Sequence, residues 1–203
     1  MRRGVLSRLS VDRLETRLGD GTPALIRPIA PEDRDRIRTG FNRLSDESRL
    51  RRFLTPTSNL TDGQLDYLTR VDYWDHFAWV AVRADALEEG MGVARYVRLP
   101  AEPAVAEAAV TVVDEYQRRG LGTLLLGLLA ATARAADITA FRSYVLEDNA
   151  PIRRLLAGLG ASDSFDSPGV VRVDTPLDPD LMPDSPVSRV VRDMASRLMP
   201  PTD

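Results

Sequence analysis

Apolar residues recur at two different spacings along this chain, and the switches between them outline an α+β protein. The run Ala24-Leu25-Ile26-Arg27-Pro28-Ile29 reads as a short strand, entered through an Asp20-Gly21-Thr22-Pro23 turn from another short strand. Pro31-Glu32-Asp33 opens a helix, with proline and acid in the first turn where the helix dipole favours them. Ile37, Phe41 and Leu44 keep helical spacing behind it. A second helix starts at Ser45-Asp46-Glu47 and carries Leu50, Phe53 and Leu54. A third starts at Thr61, whose spacing to Gln64 makes a capping box, and runs through Leu65, Leu68 and Val71. Strands follow at residues 77–82 and 91–98, linked through Glu88-Glu89-Gly90, and residues 99–103 lead into a strand beginning near Val105.

The segment 109–130 is the most informative. Val110, Val112 and Val113 end a β-branched run, Asp114-Glu115-Tyr116 forms a polar loop, and Gln117-Arg118-Arg119-Gly120-Leu121-Gly122 leads into a leucine-rich helix. In a strand, glycine loop and helix of this order, free N–H groups at the helix start face an anion. Two glycines allow close backbone approach, and successive amides can form an anion-holding nest. A P-loop needs a Gly-Lys pair, but all 27 basic residues here are arginine. A dinucleotide fingerprint needs a third glycine where Leu125 stands. By itself the string also suits an ordinary helix start with a flexible glycine pair. A strand at 141–146 then leads through Glu147-Asp148-Asn149 into a helix that ends at Gly158-Leu159-Gly160, with Asn149 as N-cap and Pro151 in the first turn. Val170 to Thr175 supplies a late strand, and Val187, Val190, Val191, Met194 and Leu198 mark one face of a final helix.

The pattern Q/R-x-x-G-x-G/A at 117–122 resembles the coenzyme A pyrophosphate loop of the GNAT superfamily of N-acetyltransferases. The spacing from Asn149 to Gly160 also matches that family. Within it, the N-terminal half is similar to the catalytic domain of bacterial protein-lysine acetyltransferases. The carrying residues are Ile26-Arg27-Pro28-Ile29, Pro31-Glu32-Asp33, Leu44-Ser45-x-x-Ser48-Arg49-x-Arg51-Arg52-Phe53, Leu65-x-x-Leu68-Thr69-x-Val71-Asp72-Tyr73 and Gly92-Val93-Ala94-Arg95. The resemblance implies an α+β acyl-CoA N-acyltransferase fold, in which a mixed, mostly antiparallel sheet is splayed at the coenzyme A site and flanked by helices. It implies acetyl-CoA as cosubstrate and no metal. It also implies a coenzyme site built from Val112, Val113, Gln117, Arg118, Arg119, Gly120, Leu121, Gly122, Thr123 and Asn149. The organisation expected is an extension at 1–20, read as a short helix or a frayed segment, an acetyltransferase domain at 21–176 and a tail at 177–203.

Acetyl transfer to nitrogen needs a base, because an amine of pKa near 10.4 is almost wholly protonated at pH 7. The resemblance assigns that role to Glu107, and its apolar sequence neighbours suggest a carboxyl raised by desolvation. Val112 and Val113 would pair with the pantetheine amides. Many relatives have a tyrosine acid where Leu156 stands, so no general acid is assigned. Arg49, Arg51 and Arg52 read as a solvated helix face, or as contacts for an acidic surface or the 3′-phosphate of coenzyme A. Asp72, Tyr73, Asp75 and His76, the single histidine, form a polar loop that the resemblance puts near the acceptor entrance.

Composition narrows the remaining classes. The 203 residues are 43% hydrophobic and 28% charged, as in a soluble globular domain with a sizeable core. A net charge of −3 gives no reason to expect nucleic acid or an acidic membrane as partner. Without cysteine there is no disulfide, thiolate metal site or cysteine nucleophile. No apolar run approaches the roughly 20 residues that span a bilayer, and no apolar segment follows the basic N-terminus, so a cytoplasmic protein is expected. The expected activity is direct acetylation of an amine, most naturally a protein lysine. A small-molecule amine acceptor and a non-catalytic acetyl-CoA-binding module are the alternatives.

Overall fold

The computed structural model describes residues 4–10 and 12–198. Its centre is one eight-stranded sheet in the order β1-β2-β3-β4-β5-β6-β8-β7. The strands are β1 (Leu14–Arg17), β2 (Pro23–Pro28), β3 (His76–Arg83), β4 (Ala86–Leu99), β5 (Glu102–Val112), β6 (Ala140–Leu146), β7 (Ser162–Ser167) and β8 (Val170–Pro176). Among the described residues only the β5–β6 pairing is parallel. The helices are α1 (Arg34–Asn42), α2 (Asp46–Phe53), α3 (Asp62–Thr69), α4 (Leu121–Ala135), α5 (Ala150–Ala157) and α6 (Pro186–Leu198). This is the splayed, mostly antiparallel α+β architecture that the sequence implies.

Strand alternation divides the core. Phe77, Trp79, Tyr96, Ala106 and Ala108 lie on the face covered by α4, whose Leu125, Leu128 and Leu129 are fully buried. Helix α6 lies along α4 so closely that a Cβ on Gly127 would come within 3.1 Å of Met194 Cγ. Ala78, Val80 and Val93 occupy the other face, beneath α1, α2 and α3.

Several details differ from the sequence expectation. The short strand expected before the Asp20–Pro23 turn is β1, paired at the sheet edge with β2, while the described residues before it form only a 3-10 turn (Val5–Arg8) where a short helix or frayed segment was expected. Glu88, Glu89 and Gly90 lie inside β4, because an Arg83–Asp85 ion pair (2.8 Å) closes a shorter turn. Leu54 ends α2 in the left-handed conformation (φ 59°), and Val71 lies beyond α3. The Thr61–Gln64 capping box forms as expected. Asn149 precedes α5, but its side chain caps no helix N–H. Strand β7 has no apolar periodicity to announce it, since Ser162–Ser167 is an exposed edge paired with β8 alone.

One buried carboxylate fixes how the helical layer leaves β2. Asp33 is 0% exposed. It takes two hydrogen bonds from Arg27 (2.7 and 2.8 Å), one from Arg36 (2.8 Å) and one from the Ala30 N–H (2.9 Å). Burial alone would raise this carboxyl, yet the Arg27 and Ala30 donors hold it below the usual range. Asp33→Ala would leave Arg27 without its carboxylate and Arg36 with Glu88 alone, and urea unfolding at pH 7 should show a loss of about 3–5 kcal/mol.

Candidate active site

The site lies where the sheet opens. β5 and β6 pair through Val105↔Ala140, Ala106↔Phe141 and Glu107↔Arg142, then separate, with Ser143 Oγ donating to Ala108 O (2.9 Å) at the fork. Beyond it β5 is bonded on one side only. Val113 N–H donates to Met91 O (2.9 Å), and antiparallel alternation then turns Thr111 and Ala109 toward β4 as well. The main-chain groups of Ala108, Val110 and Val112 therefore face the opening. This corrects the expectation for Val113: its N–H is spent on β4 and its side chain is buried, so the free amides are those of Val110 and Val112.

At the end of β5 the chain forms a cradle. Arg118 (φ 60°) and Gly120 (φ 87°) are both left-handed, with Arg119 of opposite sign between them, the alternation that turns successive N–H groups to one side. No side chain caps the start of α4 at Gly120, and Leu124 N–H is the first to find a partner on Gly120 O (3.0 Å). The N–H groups of Leu121, Gly122 and Thr123 are thus the orphan donors of the helix start, turned toward open space. A Cβ at Gly120 would meet no atom within 4 Å. Leu121 anchors the turn with a buried side chain.

The flanking side chains split between bracing and binding. Gln117 Nε2 donates to Val112 O (3.1 Å), Asp114 Oδ1 (2.9 Å) and Ser48 Oγ (3.2 Å), which ties the loop to β5 and α2. Arg119 pairs with Asp20 and stacks over Tyr116 (5.4 Å), so it braces the loop from behind. Arg118 is exposed at the rim and has no ion-pair partner among the described residues. A cleft of about 960 Å3 runs from this loop along the free edge of β5, with Asn149, Tyr144 and Leu156 on its other wall. The uncapped amides, the missing Cβ and the open ladder fit a diphosphate joined to an amide-bearing arm.

Glu107 lines the same cleft and is exposed. The desolvation inferred from its sequence neighbours fails on geometry: adjacent residues on a strand point to the opposite face. Glu107 shares its face with Ala109, Val97 and Arg95 instead. Arg49, Arg51 and Arg52 do not form one solvated face. Arg51 pairs with Glu47, and Arg49 lies over the Phe41 ring (4.8 Å). Arg52 turns inward beside Phe53 to line both this cleft and a smaller cavity behind it.

The polar loop before β3 is structural. Asp72 Oδ1 accepts from the N–H groups of Trp74, Asp75 and His76 (2.8 to 2.9 Å), and Asp75 pairs with Arg98 (2.7 Å). His76 Nε2 accepts from Arg95 (2.9 Å), and its ring packs on Tyr67 (4.9 Å). Burial and the Arg95 charge push the imidazole down to about 4. Between that value and the unfolded value near 6.5 the unfolded chain binds more protons, so stability falls as pH drops through this window. Urea titrations from pH 7 to pH 4.5 should show a loss on the order of 2 kcal/mol that His76→Asn largely removes.

Sequence reasoning passed over two features here. Arg95 is 6% exposed inside β4, and a charged residue at an inward strand position was the available signal. Tyr144 had none, because its place on the cleft follows from where β6 diverges. Among the described residues no group of three acidic or histidine side chains is placed to hold a metal ion. No helix among them is long and apolar enough to cross a membrane.

Known proteins resemble this chain in sequence and fold. The Acetyltransferase (GNAT) domain family matches residues 24–162. Acetyltransferase Pat of Mycolicibacterium smegmatis is 37% identical over 162 residues, covering 79% of this chain and 48% of that protein. The chain thus spans about half the length of that relative. Acetyltransferase PA5475 of Pseudomonas aeruginosa is 37% identical over 144 residues, 70% of this chain and 77% of that protein. The crystal structure of the GNAT domain of S. lividans PAT superimposes with a TM-score of 0.74 at 30% identity, covering 81% of this chain and 96% of that one. The free β5 edge, the uncapped glycine turn and these relatives converge: the chain belongs to the GNAT acetyltransferase family.

Proposed function

We propose that this chain transfers an acetyl group from acetyl-CoA directly to an amine, that the acceptor is a protein lysine side chain, and that it acts in the cytoplasm. The observation that carries the reading is the meeting of three features in one cleft: the uncapped amides at Gly120, the β5 edge from Ala108 to Val112 that no strand pairs, and Glu107. Acetyl-CoA supplies a thioester carbonyl open to attack by nitrogen. The amides from Arg118 to Thr123 hold the diphosphate, the Arg118 guanidinium adds charge at the rim, and Asn149, not engaged as a cap, reaches the pantetheine arm. Val110 or Val112 N–H donates to the carbonyl oxygen, where a positioned donor counts most as charge develops. Glu107 takes the proton from the incoming ammonium. Leu156 has no proton to give, whereas Tyr144 puts a hydroxyl on the same wall.

A protein acceptor is supported by the likeness to Pat proteins and by the resemblance of the segments around α1 to α3 to protein-lysine acetyltransferases. The test is mass spectrometry of a cell lysate incubated with the chain and isotopically labelled acetyl-CoA. Label on lysines of one or a few proteins is expected. Label confined to small amines would overturn the protein acceptor, and no label above that of a heat-treated control would sink the transferase reading.

A further inference from the structure

Behind the coenzyme cleft lies a second, smaller space. A cavity of about 80 Å3 sits between the α1–α3 layer and the sheet, walled by Phe41, Leu60 and Val80, with Ala109 and Thr111 of β5 as floor. It adjoins the cleft through Arg52, Phe53, Ala109 and Thr111, which line both. Three arginines line this space; Arg36 is paired with Asp33 and Glu88, and the other two are not paired with a carboxylate. Arg95 donates to Leu68 O (2.9 Å) and to His76 Nε2 (2.9 Å), both neutral acceptors. Arg52 has no hydrogen-bond acceptor among the described residues. Neither has a carboxylate within 4 Å among those residues; Glu107, the acid that offsets the desolvation of Arg52, lies farther off.

Such a pair is costly. Arg95 is 6% exposed, and burying a cation without a counter-ion is among the least favourable arrangements a core can hold; Arg52, half-buried nearby, adds repulsion. The cost is visible in the charges themselves. Desolvation, with Arg52 adding to it, pushes Arg95 down to about 9, and desolvation lowers Arg52 too. An anion between them would relieve both, and planar guanidiniums suit a carboxylate.

We infer that Arg52 and Arg95 form a carboxylate subsite opening onto the acyl end of the coenzyme cleft, so that the chain accepts an acyl group ending in a carboxylate, of the four-carbon succinyl class. The acyl source is favoured by position. Ala109 and Thr111 flank Val110, whose N–H faces the opening where the thioester would lie. Two cations are also a poor lining for an ammonium acceptor. The subsite rests on the coenzyme site proposed above and deepens it by naming the acyl class.

Calorimetry on the whole chain with acetyl-CoA, butyryl-CoA and succinyl-CoA tests it. Butyryl and succinyl chains match in length and differ in the terminal charge. Succinyl-CoA should bind about 10-fold or more tighter than butyryl-CoA, as expected for charge-assisted hydrogen bonds. Arg52→Met and Arg95→Met should each collapse that ratio. The ratio in the parent chain needs no variant, so a misfolded Arg95→Met leaves the test intact. A second arm titrates the acetyl-CoA complex with glycine and glycinamide. Arginine-dependent preference for glycine, with equal binding of the two acyl-CoAs, would assign the carboxylate to the acceptor. Equal binding in both arms, with acetyl-CoA still bound, would overturn the subsite alone. Failure to bind acetyl-CoA at all would sink the coenzyme site and the acyl assignment together.

Discussion

Glu107→Gln should bind acetyl-CoA as the parent does and lose about 10²- to 10⁴-fold in turnover, the usual worth of a positioned base. The change is nearly isosteric at an exposed side chain whose role in folding is small. What it removes is the one carboxylate of the cleft without an ion-pair partner among the described residues, Glu47 being paired with Arg51, and an ammonium at pH 7 is otherwise almost wholly charged. The acid limb of the rate–pH profile should disappear with it, while calorimetry with acetyl-CoA stays unchanged. A variant that acetylates as fast as the parent would show that the proton leaves by another route, and the role of Glu107 would have to be abandoned.

Gly120→Glu should abolish coenzyme A binding, a loss of at least about 100-fold if the diphosphate contacts are the principal polar anchors. Two effects act together. The backbone stands at φ 87°, which an L side chain adopts only with strain of about 1–2 kcal/mol, so the cradle would relax from its shape. The introduced carboxylate would also occupy the space where phosphate oxygens sit and repel them. Because no protein atom lies within 4 Å of the new Cβ, the far-UV spectrum should not change. Gly120→Ala separates the contributions, since it keeps the strain without the charge and should fall between. Binding of coenzyme A undiminished in Gly120→Glu would count against the loop as the diphosphate holder.

What could be read in advance was what is local. The segment from Gln117 to Thr123 states its conformation in seven residues, and the left-handed Gly120 with an uncapped helix start follows directly. The capping box at Thr61 and the acidic first turn at Pro31 are local in the same way. Glu107 was legible as a position but not as an environment. Its sequence neighbours are small and apolar, yet a strand sends them to the opposite face and brings Val97 and Arg95 beside it from β4. Val113 failed for a related reason: which edge of a strand carries a free amide depends on the register with its partner, fixed here by Met91. The inward turn of Arg52 was hidden because α2 carries three arginines in four positions, and only packing on the sheet decides which of them lines the cavity.

The three-pair seam between β5 and β6 has a consequence for the life of the protein in a cell. One apolar core joins the two slabs of the sheet, but their main chains pair at three positions only, so thermal breathing should concentrate at the fork, and that is where a protease would find extended chain. A metabolite that bridges the slabs clamps them, and at 100 times its dissociation constant such a clamp is worth about 2.7 kcal/mol. Abundance of the protein would then rise in well-fed cells and fall under starvation, with no dedicated sensor required.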